Sequence, residues 1–194
     1  ERRKLGSCFV PEERYGHGAV TTMTLAENAF LSGNVRAALA RLGVIRQART
    51  LDFARGIIER FDVRTTGPKA EARSLSGGNL QKFLVGREVQ QSPSVLVINQ
   101  PTWGVDAGAA IAIYDAIIQL ADQGTAVVII SQDLDEIMLL CDRIAVIAAG
   151  RLSPPILAKD ATIAQVGLLM GGTAASVDAH SAEGALTEGE AAVA

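Results

Sequence analysis

The sequence predicts an α/β fold built on a mainly parallel, doubly wound sheet. Three observations carry that prediction. Short apolar runs such as "SVLVIN" and "AVVII" alternate with long helical patterns, and strands joined through helical crossovers pair in parallel. Ala, Val, Ile, Leu and Gly dominate a chain that is 48% hydrophobic but only 4% aromatic, which suits helices packed on a buried sheet. The 194 residues are also enough for one domain with a core of its own.

Each element follows from its local pattern. "LGSCFV", residues 5–10, reads as a strand stopped by Pro11, and the polar, Gly-rich "PEERYGHGAV" reads as a loop. Thr24 stands ahead of "LAENAFL" with Glu27 three residues on, a capping-box start for a short helix. "LSGN" breaks that helix. Two helical patterns are then expected between residues 35 and 61. The first is Val35, Leu39, Leu42 and Ile45; the second is Leu51, Ala54, Ile57, Ile58 and Phe61. "TTGPKAEARS" is a connector. "LSGGN", residues 75–79, leads into the helix "LQKFLVGREVQQ", which Ser92-Pro93 ends. The strand "SVLVIN" precedes the helix "AIAIYDAIIQLADQG", closed by Gly124. "AVVII" is a strand, "DLDEIMLLC" a helix with an acidic cap, and "RIAVIAAG" a further strand that turns at Gly150-Arg151. "TIAQVGLLMGG" is the last helix. Residues 173–194 contain no Lys or Arg and are mostly Ala, Ser, Gly and acid, which predicts a disordered acidic tail.

Composition narrows the function. A net charge of -3 weighs against nucleic acid as the main partner, because phosphate backbones favour basic surfaces. "ERRKLGSCFVPEER" has no apolar signal-peptide core, and no apolar run reaches the roughly 18 residues of a membrane span. Cys8 and Cys141 sit beside apolar residues without metal-ligand or redox spacing, so both read as reduced, core-like thiols. The charges of "ERRK" and "GREVQQ" read as solvated. Tyr15 and His17 read as loop residues, and Trp103 as a packing or interface contact.

Two segments carry the chemistry. In "LSGGN" the glycines at a helix start let a phosphate approach bare backbone N–H groups, and Ser76 adds a hydroxyl. Taken alone, such a stretch is more often a simple turn. In "VLVINQPTWGVD", residues 95–106, a buried-looking strand ends in two amides, Asn99 and Gln100. Taken alone, the pair reads as capping polar groups at a strand end.

Their order along the chain changes both readings. An LSGG helix, a hydrophobic strand, PT-x-G-x-D, a strand, a DLDE helix, a DRI strand and a Gly-Arg turn succeed one another. That order resembles the nucleotide-binding domain of an ABC transporter, over about residues 5–172. "FVPEERYGHG", "MTLAENAFL" and "LSGGNLQK" resemble most the importer ATPases for simple sugars and nucleosides, in which two such domains are fused. The resemblance implies a P-loop NTPase-like sheet with a helical insert at about residues 23–75. Because no G-x-x-x-x-G-K-[ST] occurs in the chain, it also implies a partial domain, N-terminally incomplete before the Walker A loop. An uncovered, apolar region of sheet is expected from that.

Site residues follow by position. Leu75, Ser76, Gly77, Gly78 and Asn79 match the signature motif, which closes on ATP held by a partner domain. Asp106 matches the D-loop aspartate, and Glu12 falls where the family has its Q-loop glutamine. Asn99, Gln100 and Gln132 stand where the family places a magnesium-binding Asp, a water-polarising Glu and a γ-phosphate-contacting His. Mg²⁺ prefers charged oxygen ligands, and an amide cannot act as a general base near neutral pH. No metal ligand of its own is therefore expected in this pocket, and hydrolysis there is expected to be deficient. The resemblance further implies ATP with Mg²⁺ at a composite site. It implies the N-terminal ATPase domain of the same polypeptide and transmembrane permease subunits as partners, with a solute-binding protein indirectly, and a peripheral place on the cytoplasmic face of the inner membrane. The rival expectations are a fully active ATPase domain, a chromosome-maintenance or repair ATPase, and a regulatory module without a nucleotide role.

Overall fold

The computed structural model describes residues 2–171; the expected tail, with His180, lies outside them. The described chain divides into two compact units, one ending at Gln132 and one beginning at Asp133.

The first unit opens with a 3-10 turn, Arg2–Leu5, and strand β1, Ser7–Val10. Helix α1, Leu25–Gly33, starts where the capping box predicts: Thr24 accepts from the Glu27 N–H, and the Glu27 carboxylate accepts from the Thr24 N–H at 2.8 Å. A two-stranded ribbon follows, β2, Ala40–Arg41, paired antiparallel with β3, Val44–Ile45. Then come α2, Gln47–Arg60, and α3, Gly77–Val89. The unit closes with β4, Val95–Asn99, α4, Ala107–Asp122, and β5, Ala126–Ile130.

The ribbon corrects the first of the two helices expected between residues 35 and 61. Leu42 and Gly43 both have positive φ, +50° and +78°, which a two-residue hairpin turn demands. The i, i+3 spacing of Leu39, Leu42 and Ile45 arises because the turn interrupts two strands, and only the second pattern is helical.

The strands order as β1-β4-β5, all parallel, with Val10 opposite Ile98 and Asn99 opposite Ile130. That in-register arrangement sends Cys8, Val10, Leu96 and Ile98 into the core with Leu80, Phe83 and Leu84 of α3 and Ile113 and Ile117 of α4. Every residue of α3 from Leu80 to Val89 is buried, so this helix is the central beam of the unit. The other face of the sheet carries Phe9, Val95, Val128 and Ile130, each more than a third exposed.

Of the charges expected to be solvated, Arg2 and Lys4 are exposed, but Arg3 is part-buried and Arg87 and Glu88 are buried. Glu88 is 0% exposed and accepts from Arg3 at 2.7 Å, Arg87 at 2.9 Å and the Gln91 amide at 3.1 Å. Arg87 is also buried and donates to the Asn28 carbonyl. Burial pushes the Glu88 carboxyl up, but Arg87 and Arg3 outweigh it and hold it below the usual carboxylate range. The network fixes the chain's first turn to the end of α3.

The second unit contains α5, Leu134–Leu140, whose Asp133 cap accepts from the Asp135 and Glu136 N–H groups. The single strand expected over residues 143–150 is two short pieces, β6, Arg143–Ile144, and β7, Ile147–Ala148. β7 pairs antiparallel with β8, Arg151–Leu152, across a turn with positive φ at Ala149 and Gly150. β6 pairs antiparallel with β9, Ile156–Leu157. Helix α6, Ile163–Met170, starts at a Thr162 capping box and packs Val166 against Ile144 and Val146. No helix among the described residues is long and apolar enough to cross a membrane.

Candidate functional site

Three parallel strands end side by side, and the segments leaving them carry the residues of interest. Glu12 follows β1, Asn99 and Gln100 end β4, and Gln132 follows β5. The carboxyl ends of parallel strands are where such sheets bind ligands. Asn99 donates its side-chain amide to the Glu12 carboxylate at a long 3.5 Å. Both residues line an open cleft with Phe9, His17 and Arg87. Gln132 is exposed beyond the end of β5.

Gln100 is bent sharply. Its φ is +51°, it is 7% exposed, and its N–H donates to the Ile130 carbonyl at 2.8 Å. A non-glycine residue in the left-handed region is held there by its surroundings, and here the holder is Gln81. The Gln81 amide, 1% exposed, donates to the carbonyls of Gln100 at 3.2 Å and Pro101 at 2.9 Å. One side chain of α3 therefore fixes the loop that begins at residue 100.

The signature segment sits at the start of that same helix. Ser76 caps α3, its hydroxyl accepting from the Asn79 side-chain amide at 2.9 Å. Asn79 in turn accepts from the Arg64 N–H at 2.8 Å. Leu75 is buried, and Gly77 and Gly78 are part-exposed. A Cβ on Gly78 would lie 3.2 Å from the Gly104 carbonyl, and one on Gly77 would lie 2.8 Å from a guanidinium nitrogen of Arg14. The 100–106 loop therefore lies close against Gly78, while at Gly77 the nearest atom is the mobile end of Arg14. Arg14 donates to the Trp103 carbonyl, and burial lowers its pKa. Trp103 itself is 65% exposed. Asp106 caps α4, accepting from the Ala109 N–H at 3.0 Å. Hydrogen bonding from Ala109 holds its carboxyl below the usual range.

All the sequence-derived site residues fall in the first unit, in two groups: the strand-end group of Glu12, Asn99, Gln100 and Gln132, and the helix-start group of Leu75–Asn79 with Asp106. Sequence reasoning missed the two connectors, Arg14 and Gln81. Gln81 left one signal, a polar residue flanked by Leu80, Phe83 and Leu84 on a helix buried all round; Arg14 left none.

The strand-end group offers amides and one carboxylate. Among the described residues no three His, Cys, Asp or Glu side chains group closely enough to hold a metal ion. Glu12 is the one charged oxygen donor of this group; Mg²⁺ is commonly held by one or two carboxylates together with substrate phosphates and water.

No protein-family model matches the chain. It is 39% identical over 168 residues to the guanosine import ATP-binding protein NupO of Bacillus subtilis, covering 87% of this chain and 33% of that protein. It is 40% identical over 163 residues to the nucleoside import ATP-binding protein NupA of Lactococcus lactis, with 84% and 32% covered. The ribose import ATP-binding protein RbsA 1 of Rubrobacter xylanophilus is 36% identical over 178 residues, with 91% and 36% covered. The chain therefore spans about a third of the length of the curated relatives it matches. Among solved structures it resembles the ATP-binding cassette MJ0796, in a dimeric post-hydrolysis state bound to ADP and Pi. The TM-score is 0.67 at 20% identity, over 81% of this chain and 65% of that one. A second dimeric structure of that cassette gives 0.63 at 19%, over 77% and 62%. With the cassette fold and homologues of this kind along nearly all its described length, the chain belongs to the family of ABC transporter nucleotide-binding domains.

Proposed function

We propose that this chain is the nucleotide-binding domain of an ATP-driven importer for simple sugars or nucleosides, and that its two residue groups have unequal roles. The helix-start group, Leu75–Asn79 with Asp106, serves ATP and Mg²⁺ held by a partner domain. That partner is the first ATPase domain of the same polypeptide. The strand-end group is the chain's own nucleotide pocket and is deficient in hydrolysis. Closure of the two domains drives transmembrane permease subunits, with a solute-binding protein acting indirectly, at the cytoplasmic face of the inner membrane.

One observation carries the unequal roles: amides stand at the end of β4, at Asn99 and Gln100, and Gln132 follows the neighbouring parallel strand β5. Phosphoryl transfer relies on positioned charge, and these side chains bring none. At the other group, a helix of 13 residues starts with two glycines and a serine cap, and its amide groups and dipole favour a phosphate.

The test uses the intact protein with the partner domain's own site inactivated. ATP turnover is expected near background, and the Asn99→Asp, Gln100→Glu, Gln132→His combination is expected to raise it at least about ten-fold. Normal turnover without those substitutions overturns the reading.

A second reading, a fully active pocket, has one observation in its favour. Glu12 is the carboxylate that meets Asn99, and a carboxylate there is a candidate general base. Turnover abolished by Glu12→Gln, with the partner site inactive, selects that reading.

A further inference from the structure

We propose that the β2–β3 hairpin is a docking point for an anionic lipid surface. The hairpin projects into solvent: Leu42 at its tip is 94% exposed, Val44 68% and Ile45 51%, and a Cβ on Gly43 would meet nothing within 4 Å. Exposed apolar side chains at a tight turn cost solubility, and a patch of them marks an interaction site. Charge identifies the partner. From Asn28 to Leu51 there is no Asp or Glu, yet Arg36, Arg41, Arg46 and Arg49 all fall there, in a chain whose net charge is -3. Arg36 is used internally, donating to the Gln91 carbonyl at 3.0 Å and the Ser92 carbonyl at 2.6 Å. Arg41, Arg46 and Arg49 are exposed, and none of the three makes an ion pair among the described residues.

The arrangement is amphipathic on a small scale. Arg41 and Val44 are directly paired across the ribbon, as are Ala40 and Ile45. Arg46 follows Ile45 immediately. Exposed apolar side chains and exposed guanidinium groups thus alternate around the turn. A bilayer interface accepts that geometry: short apolar groups enter the acyl boundary while arginines pair with phosphates. The small ribbon offers no groove or large aromatic anchor of the kind that dominates protein–protein hot spots. Attraction of basic residues to anionic lipid is worth about five-fold in partitioning per arginine.

Flotation of the whole chain, without nucleotide or partner domain, tests this against vesicles of phosphatidylglycerol mixed with phosphatidylcholine and against phosphatidylcholine alone. Failure then leaves the nucleotide reading untouched. Binding to the mixed vesicles is expected to exceed binding to the neutral ones by at least about ten-fold and to weaken as salt is raised. Arg41→Glu with Arg46→Glu is expected to reduce it more than about twenty-fold, and Leu42→Ser several-fold, with circular dichroism unchanged. Arg60→Glu, on the exposed end of α2, is expected to leave it unaltered. A Leu42→Trp variant gives a second readout: brominated lipid should quench its emission beyond the Trp103 background. Equal binding to neutral vesicles, or binding indifferent to the double charge reversal, overturns the proposal. So does capture by polyglutamate with no vesicle binding, which reassigns the hairpin to an acidic protein partner.

Discussion

Gln81 donates its side-chain amide to the backbone carbonyl of Gln100 at 3.2 Å, and a second hydrogen of the same amide reaches Pro101 at 2.9 Å. The first residue lies five positions into the helix that begins with the signature glycines; the second ends the strand that faces the other residue group. The two groups are therefore joined through one buried side chain.

Removing that link exposes its worth. Gln81→Met keeps the volume and deletes both donors, leaving the carbonyls of Gln100 and Pro101 short of partners. A loss of about 1–3 kcal/mol is expected from such unsatisfied buried groups, read as a lower urea midpoint. An unchanged midpoint would show that the loop holds its positive φ at Gln100 without Gln81.

Arg14 makes a different, steric demand. Gly104 and Gly124 both have positive φ, +63° and +91°, but only at Gly104 would a Cβ meet Arg14, at 3.0 Å. Gly104→Ala is expected to destabilise more than Gly124→Ala. In an Arg14→Ala background the excess is expected to shrink by about 0.5–3 kcal/mol, the size of direct coupling between contacting residues. Additive effects would place the cost in the backbone alone.

The Glu88 network sets a pH dependence. Its carboxyl titrates below the usual range when folded, so the stabilisation is complete above the unfolded carboxylate pKa of about 4.3 and is lost as pH falls through the folded value. Glu88→Gln leaves Arg87 buried without its counter-charge and is expected to cost about 3–5 kcal/mol at neutral pH. It is also expected to flatten the acid limb of a plot of urea midpoint against pH. An acid limb as steep as that of the parent would remove Glu88 from this role.

Cys8 is 1% exposed, and burial pushes its thiol up to about 12. At pH 8 it carries almost no thiolate, the reactive form. Ellman's reagent is expected to modify Cys141, which is half-buried, well before Cys8, with Cys8 reacting only on denaturation. Prompt labelling of both thiols in the native protein would contradict the packing of β1 on α3.

Local chemistry determined what the sequence by itself could reveal. Thr24 with Glu27, Asp133 and Thr162 each announce a helix start because their side chains satisfy N–H groups within three residues. The strands at 95–99 and 126–130 announce themselves by unbroken apolar runs, and their parallel pairing by the length of the helix between them. The residues of the two proposed groups could be picked out before folding because motif spacing does not depend on knowing the fold. Tertiary structure decided the rest. A hairpin replaced a predicted helix at residues 40–45, because apolar spacing does not register the positive φ that Leu42 and Gly43 adopt. Arg87 and Glu88 turned inward, with Arg3 beside them, because the one carboxylate offsets the desolvation of both guanidinium groups, and Arg3 stands 85 positions from Glu88. Arg14 reaches a carbonyl 89 positions away and Gln81 carbonyls 19 and 20 positions away, and apolar spacing does not register a side chain meeting a carbonyl that only folding places beside it.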